Sequence, residues 1–332
     1  MSETIAPART VTFREALREA LLEEMTDDPR VILLGEDVGR YGGAYAVSRG
    51  LLEQFGDRRV LDTPMSEAAI VGVALGASMV GARPVAEIMY MDFMTLVMDA
   101  LVNQAAKMHF MFGGQLSAPL VVRTQQGIGR GAGSQHSQSL EAWFAHVPGL
   151  KVVAPSTPAD AKGLLKAAIR DDDPVLFIEH KGLYARKGEA PPHDHVVPLG
   201  SADVKRQGRD VTIVTWSNMV HTALAAAEHL AASGIEVEIV DLRTLAPLDL
   251  PTVLASVERT GRVLVLHEAM RTGGLGAEIA AQVSEHLFGR LLAPVRRVAA
   301  PDVVLPANTA LERALIPDAD AVERAVRSLV EN

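Results

Sequence analysis

The segment Asp62-Thr63-Pro64-Met65-Ser66-Glu67 closes a strand at 59–62 and opens a run, 68–81, made almost wholly of small and apolar residues. A helix that is apolar all round has no face suited to water, so this one is expected to be buried. Glu67 then stands at the mouth of a buried helix. A free carboxylate is costly there, and a carboxyl group can share its proton with a ligand nitrogen. The plainer reading is an acid placed in the first turn by the helix dipole. The segment by itself favours the plainer reading.

The rest of the chain repeats the pattern of short β-branched runs alternating with helical stretches. Strands are expected at 31–35, 59–62, 84–88, 120–123, 151–154 and 175–179, with helices at 12–25, 67–80, 91–110, 141–147 and 158–171. Near-continuous apolar strands alternating with helices read as a parallel sheet covered on both faces, an α/β architecture. Thr157 and Pro158 are a good start for the 158–171 helix, the one as cap and the other in the first turn. A polar, Pro-rich stretch, 185–208, then interrupts the pattern. A second series follows: strands at 211–216, 237–241, 263–267 and 295–298, and helices at 220–232 and 277–287. Two parallel-sheet domains are therefore expected, 1–190 and 209–332, joined by a linker at 191–208.

Composition narrows the function. Lys and Arg number 32 against 41 Asp and Glu, a net charge of −9 with no basic run, which argues against nucleic acid as a partner. Aromatic residues are only 4%, too few for base-stacking platforms. There is no cysteine, which excludes disulfides, thiolate metal sites and a thiol nucleophile within this chain. No apolar stretch is long enough to span a bilayer and the N-terminus lacks the pattern of a signal peptide, so no membrane and a cytoplasmic setting are expected.

Several residues are candidates for chemistry. Gly127-Ile-Gly129-Arg-Gly131-Ala-Gly133 follows a strand and is similar to a dinucleotide fingerprint. The helix and the ribose-binding acid that the fingerprint requires are missing, so the glycines read as a loop that brings backbone close to a ligand. Gly273, Gly274 and Gly276 read as a tight turn and helix-packing device. His136 lies in the first of these loops among small polar residues, where proton transfer near neutrality and a structural role are both open. Phe93 can stack on a flat ring or fill the core. Met89, Met91, Met94 and Met98 read as adaptable packing. Asp171-Asp172-Asp173 is a solvated turn or a set of carbonyls for a monovalent cation.

Taken together, the motifs resemble the beta subunit of the thiamine-dependent decarboxylating component of 2-oxo acid dehydrogenase complexes. They are Gly-Glu-Asp-Val-Gly (35–39), Gly-Gly-Ala-Tyr (42–45), Ser-Arg-Gly-Leu (48–51), the 62–67 segment, Ser-Gln-His-Ser-Gln (134–138), Pro-Gly-Leu-Lys-Val-Val (148–153), Ala-Lys-Gly-Leu-Leu (161–165), Ala-Ile-Arg-Asp (168–171), Asp-Leu-Arg-Thr-Leu-Ala-Pro-Leu-Asp (241–249) and His-Glu-Ala-Met-Arg-Thr-Gly-Gly (267–274). The resemblance implies a pyrimidine-binding domain followed by a transketolase C-terminal-type domain. It implies that Glu67 hydrogen-bonds the pyrimidine of thiamine diphosphate and promotes the imino tautomer that takes the thiazolium proton. Phe93 is implied to pack on the pyrimidine with Met65 and Met89 beside it. His136 is implied to steer protonation or acyl transfer to a lipoyl group. The backbone at Leu120, Ala168, Ile169, Asp171 and Asp173 matches a potassium site of some relatives.

The resemblance also marks an absence. Relatives hold the diphosphate and magnesium through Gly-Asp-Gly followed by Asn, and this chain has no Gly-Asp-Gly. An alpha subunit is therefore expected to carry the magnesium and complete the site in an assembly of two alpha and two beta chains, with a lipoyl-bearing dihydrolipoyl acyltransferase as further partner. Pyruvate is the favoured substrate; branched-chain 2-oxo acids and acetoin are the alternatives. A nicotinamide-dependent oxidoreductase and a non-catalytic assembly module are the rivals from other classes.

Overall fold

The computed structural model describes residues 9–331. The N-terminal half runs β1 (Thr10–Thr12), α1 (Phe13–Asp27), β2 (Val31–Gly35), α2 (Leu51–Phe55), β3 (Val60–Asp62), α3 (Glu67–Met79) and β4 (Arg83–Ile88). A run of short 3-10 and π turns from Met91 to Lys107 leads into α4 (Met108–Met111). Then come β5 (Val121–Gln126), α5 (Glu141–Ala145), β6 (Lys151–Val153), α6 (Pro158–Arg170), β7 (Val175–His180) and β8 (Lys187–Glu189). The C-terminal half runs β9 (Asp203–Arg206), β10 (Val211–Thr215), α7 (Met219–Ala231), β11 (Val237–Asp241), β12 (Thr244–Ala246), α8 (Leu250–Thr260), β13 (Val263–Met270), α9 (Leu275–Leu287), β14 (Arg296–Ala300), α10 (Thr309–Leu315) and α11 (Ala319–Val330).

Local chemistry sets the helix starts. Thr12 and Glu15 form a reciprocal capping box on α1. Thr157 caps α6 by accepting from the Asp160 amide at 3.1 Å, with Pro158 in the first turn.

Two mostly parallel sheets form, as the alternation predicts. The first has the order β12-β6-β7-β5-β4-β2-β3 and the second β14-β13-β10-β11-β9. In the first sheet β3, β2, β4, β5, β7 and β6 are parallel, so their C-terminal ends share one edge. The chain order reverses between β2 and β4, and ligands of open α/β sheets bind outside the strand ends at such a point. One face of the sheet packs on α1 and α6. The other packs on α3 and the Met91–Lys107 turns, and this core continues without a break into the C-terminal half.

Three expectations need correction. The 191–208 stretch is not free chain throughout, because 203–206 pairs as an antiparallel edge strand with β11. The helix expected over 91–110 is broken into 3-10, π and α turns. Finally, α3 is not buried all round. Ile70, Val71, Ala74, Leu75 and Ser78 face the core, whereas Ala68, Ala69, Gly72, Val73, Gly76 and Met79 are exposed. A side chain built at Gly72 or Gly76 would meet nothing within 4 Å.

Candidate active site

The shared strand edge gathers the expected residues onto the loops that leave it. Glu67 opens α3 just beyond β3, Phe93 lies in the first turn beyond β4, and His136 lies in the loop beyond β5. Asp62, at the end of β3, accepts from the backbone amides of Gly39 at 2.6 Å and Arg40 at 3.0 Å, fixing the loop beyond β2 beside this edge. Glu36 in that loop feels Glu67: burial first, then the charges of Glu67 and Asp37, raise its carboxyl above the usual range. Glu67 is half-buried, and its carboxylate makes no hydrogen bond among the described residues.

His136 and Phe93 come together edge-on, with ring centroids 5.4 Å apart, and Tyr90 flanks His136 at 5.6 Å. The imidazole nitrogens make no hydrogen bond among the described residues. The backbone of the loop is held instead. Lys181 Nζ donates to the His136 carbonyl and lies 4.7 Å over the Tyr90 ring, while Gln138 donates to Asp92 through its amide at 3.2 Å and its side chain at 2.9 Å. Burial lowers the pKa of the Lys181 ammonium, although Asp92 and Glu268 oppose this. Beneath the site a buried network crosses the sheet. Arg123 donates to Glu87 at 2.8 Å and Glu179 at 2.6 Å, Tyr184 donates to Glu179 at 2.5 Å, and the Tyr184 ring stacks on Tyr45 at 4.4 Å.

Met89 is half-buried next to Tyr90, but Met65 is 81% exposed. No hydrogen bond or ring contact among the described residues joins Glu67 to Phe93 or His136. A cavity beside the His136 loop, lined by Ser137, Gln138, Leu140 and Glu268, measures about 40 Å³. That is far below the roughly 300 Å³ of a small-ligand pocket. A flat apolar ring at Phe93 and a carboxyl at Glu67 without a hydrogen-bond partner among the described residues are the kinds of group a flat, nitrogen-bearing ring would use. Among the described residues no cluster of three His, Cys, Asp or Glu could hold a metal.

The glycine-rich loop has a different role from that expected. Its amides serve this chain's own carboxylates: Ile128 N–H donates to Glu268 at 2.6 Å and Gly131 N–H to Glu312 at 2.6 Å. Gly127, at φ +108, leaves room for His180, whose Nε2 lies 2.8 Å from Glu268. These two amides therefore tie the loop to the C-terminal half and are not free to hold a phosphate. Gly274 and Gly276 behave as expected, since a side chain at either would collide with the buried ring of His267.

Sequence reasoning missed Tyr45, Tyr90, Asp92 and Lys181. Tyr90 had a signal, its place three residues before Phe93. Lys181 had a weaker one, its place just past the end of a parallel strand.

For the cation expectation, the carbonyls of Ile169 and Asp171 both accept from Arg83 Nη1, at 3.1 and 2.9 Å.

Residues 9–187 match the family described as "Transketolase, pyrimidine binding domain", and residues 200–322 the one described as "Transketolase, C-terminal domain". The chain is 48% identical over 98% of its length, and 98% of the relative's, to "Acetoin:2,6-dichlorophenolindophenol oxidoreductase subunit beta" of Cupriavidus necator. It is 47% identical to "2-oxoisovalerate dehydrogenase subunit beta" of Bacillus subtilis, covering 97% of this chain and 99% of the relative. It is also 47% identical to "Pyruvate dehydrogenase E1 component subunit beta-2, mitochondrial" of Oryza sativa subsp. japonica, covering 97% and 87%. Among solved structures, "Split gene transketolase, inactive beta4 tetramer" superposes with a TM-score of 0.78 at 24% identity over 97% of this chain and 98% of that one, which shows the fold alone. With both domain matches in order and near-half identity over almost the full length, the chain belongs to the transketolase-like family of thiamine-diphosphate-dependent 2-oxo acid dehydrogenase beta subunits.

Proposed function

We propose that this chain supplies the pyrimidine half of a thiamine diphosphate site that an alpha subunit completes. The assembled enzyme decarboxylates a 2-oxo acid and passes the acyl group to the lipoyl group of a dihydrolipoyl acyltransferase. The observation that carries the proposal is the open face of α3. Gly72 and Gly76 weaken a helix interior by about 1 kcal/mol each relative to Ala, and nothing among the described residues needs their small size. Glycine there suits close approach of another chain's backbone, on the helix that Glu67 opens without a hydrogen-bond partner among the described residues. The exposed Val73, Met79 and Val80 extend the same face.

When bound, thiamine diphosphate supplies an acidic thiazolium carbon that adds to a 2-oxo group. Glu67 holds and returns a proton at a pyrimidine ring nitrogen, a task suited to a half-buried carboxyl without a competing cation. Phe93 offers a flat apolar surface, with Met89 beside it and Met65 covered only on assembly. His136, fixed through its own carbonyl by Lys181 and edge-on to Phe93 and Tyr90, keeps both ring nitrogens available to move a proton during acyl transfer. Magnesium and the diphosphate belong to the alpha subunit in this reading.

Pyruvate remains the proposed substrate, with branched-chain 2-oxo acids and acetoin as alternatives. Identities of 48, 47 and 47% to relatives named for three substrates do not discriminate among them. No helix among the described residues is long and apolar enough to cross a membrane. A cytoplasmic setting is part of the same proposal, supported by the bacterial relatives. The test mixes the full chain with its alpha partner and follows thiamine diphosphate binding and turnover of the three substrates. Binding and decarboxylation are expected only from the mixture. Robust turnover by the lone chain would overturn the shared-site reading.

A further inference from the structure

At the N-terminal edge of the first sheet, opposite the Glu67–His136 edge, Arg83 opens β4, and its backbone amide donates to the Arg30 carbonyl at 2.8 Å. Its side chain, 16% exposed, points at the last turn of α6. Nη1 donates to the carbonyls of Ile169 and Asp171, and Nη2 donates to Asp172 Oδ1 at 2.6 Å. The last carbonyls of a helix have no partner within it and carry the negative end of its dipole, so a cation is favoured there.

The other oxygens at this turn are also engaged by the chain itself. The Leu120 carbonyl accepts from Val175 N–H at 2.8 Å, and that of Ala168 from Asp171 N–H at 3.3 Å. The Asp171 carboxylate takes Lys151 Nζ at 2.7 Å on both oxygens and the Asp173 amide at 2.9 Å, and Lys151 also pairs with Asp173 at 3.1 Å. Burial works against the Lys151 charge, yet Asp171 and Asp173 hold its pKa above the ordinary lysine range. Two fixed cations thus face three carboxylates and the helix end. An ion bound by both the Ile169 and Asp171 carbonyls would have to compete for them with the Arg83 guanidinium, which already donates to both of these oxygens and to Asp172. The residues do not fit a potassium site as the resemblance implied.

We propose that the Arg83 guanidinium takes the place of a monovalent cation here, so that this turn is held by a residue of the chain itself and the fold is independent of potassium. The test is thermal unfolding of the full chain in potassium chloride and in choline chloride at equal ionic strength. The wild type is expected to melt at the same temperature in both, within about 1 °C. Arg83→Met should melt roughly 4–10 °C lower in choline, the range for breaking a partly buried charged network in a chain of this size. Potassium should recover at least half of that loss saturably, because the vacated carbonyls and Asp172 then face an ion-sized space. A wild-type melting temperature that rises saturably with potassium would overturn the proposal, and this measurement stands even if Arg83→Met does not fold. So would an Arg83→Met variant as stable as the wild type, or one whose loss is identical in the two salts.

Discussion

At the seam between the two halves, Lys205 Nζ lies 2.6 Å from Asp160, 2.8 Å from Asp203 and 3.6 Å from Asp241, and Arg243 reaches Asp160 at 3.2 Å. Ser156 donates to Asp241 at 2.5 Å. Burial first, helped by the charge of Asp160, pushes the Asp241 carboxyl up to about 7 against the pull of Lys205, whereas Lys205 and Arg243 overcome burial at Asp160 and hold it below the usual range. At the C-terminal edge of the first sheet, the Glu67 carboxylate and the His136 imidazole make no hydrogen bond at all among the described residues. Both regions are rich in ionisable groups close to the core. In this seam cluster of Lys205, Arg243, Asp160, Asp203 and Asp241 opposite charges face one another across the two halves. At the edge the groups are left unmatched, and unpaired polar groups near a core are a cost that a fold retains for a ligand or a partner.

The sharpest way to break this contrast is Glu67→Gln in the assembled enzyme. Hydrogen–deuterium exchange at the thiazolium carbon is expected to fall by about 10²–10⁴, since the amide keeps the shape but cannot release and regain the proton. The melting temperature should stay within about 1 °C, because no bond within the chain is lost. An exchange rate equal to wild type in the assembled variant would remove Glu67 from the chemistry.

Lys205→Met asks the converse question of the seam. Removing one partner leaves Asp160 and Asp241 buried without their ammonium, expected to cost about 3–5 kcal/mol in urea unfolding. Activity per folded molecule should be retained. A loss below about 1 kcal/mol would mean that the seam charges are not matched in the way their distances suggest.

His136→Ala should lower lipoyl acylation by about 10²-fold, the lower end for proton-transfer groups, while cofactor binding is retained. Unchanged acylation with normal assembly would make the imidazole a packing group against Phe93 and Tyr90.

The contrast also explains what could be read in advance. The strands 31–35 and 237–241 have the expected bounds, because continuous β-branched runs of that length admit little else. β12 escaped notice, as three residues that leave their own half and pair antiparallel with β6 carry no local signature. β9 was hidden within a polar, Pro-rich stretch. The small, apolar composition of α3 predicts burial all round, whereas this chain covers only one of its faces. At the site, Glu67, Phe93 and His136 were legible as motif residues. Lys181 and Asp92 act on the His136 loop through contacts 45 and 46 residues apart in the sequence, and no local pattern announces such pairings.

The smallest expected effect concerns Glu141, a seam carboxyl that breaks the matching rule. It lies at the start of α5, fully buried, and accepts from Trp216 Nε1 at 3.3 Å, with no cation against it. Burial pushes its carboxyl up to about 7. The folded chain therefore keeps this proton over a range, from about 4.5 to about 7, in which the unfolded chain has released it. Its contribution to stability is complete at the acid end and is lost as pH rises through 7, with no further change above. Glu141→Gln keeps the shape and an oxygen for Trp216 but does not titrate. The variant should therefore gain on the wild type between pH 5 and pH 8, by about 2–3 kcal/mol as an upper figure. Asp241 titrates near the same pH but is present in both proteins, so it cancels in the difference. Urea unfolding of the two chains at pH 5, 6, 7 and 8 reads this directly. A stability difference that does not change with pH would mean that Glu141 is charged in the fold, and that the seam matches it by means other than a cation.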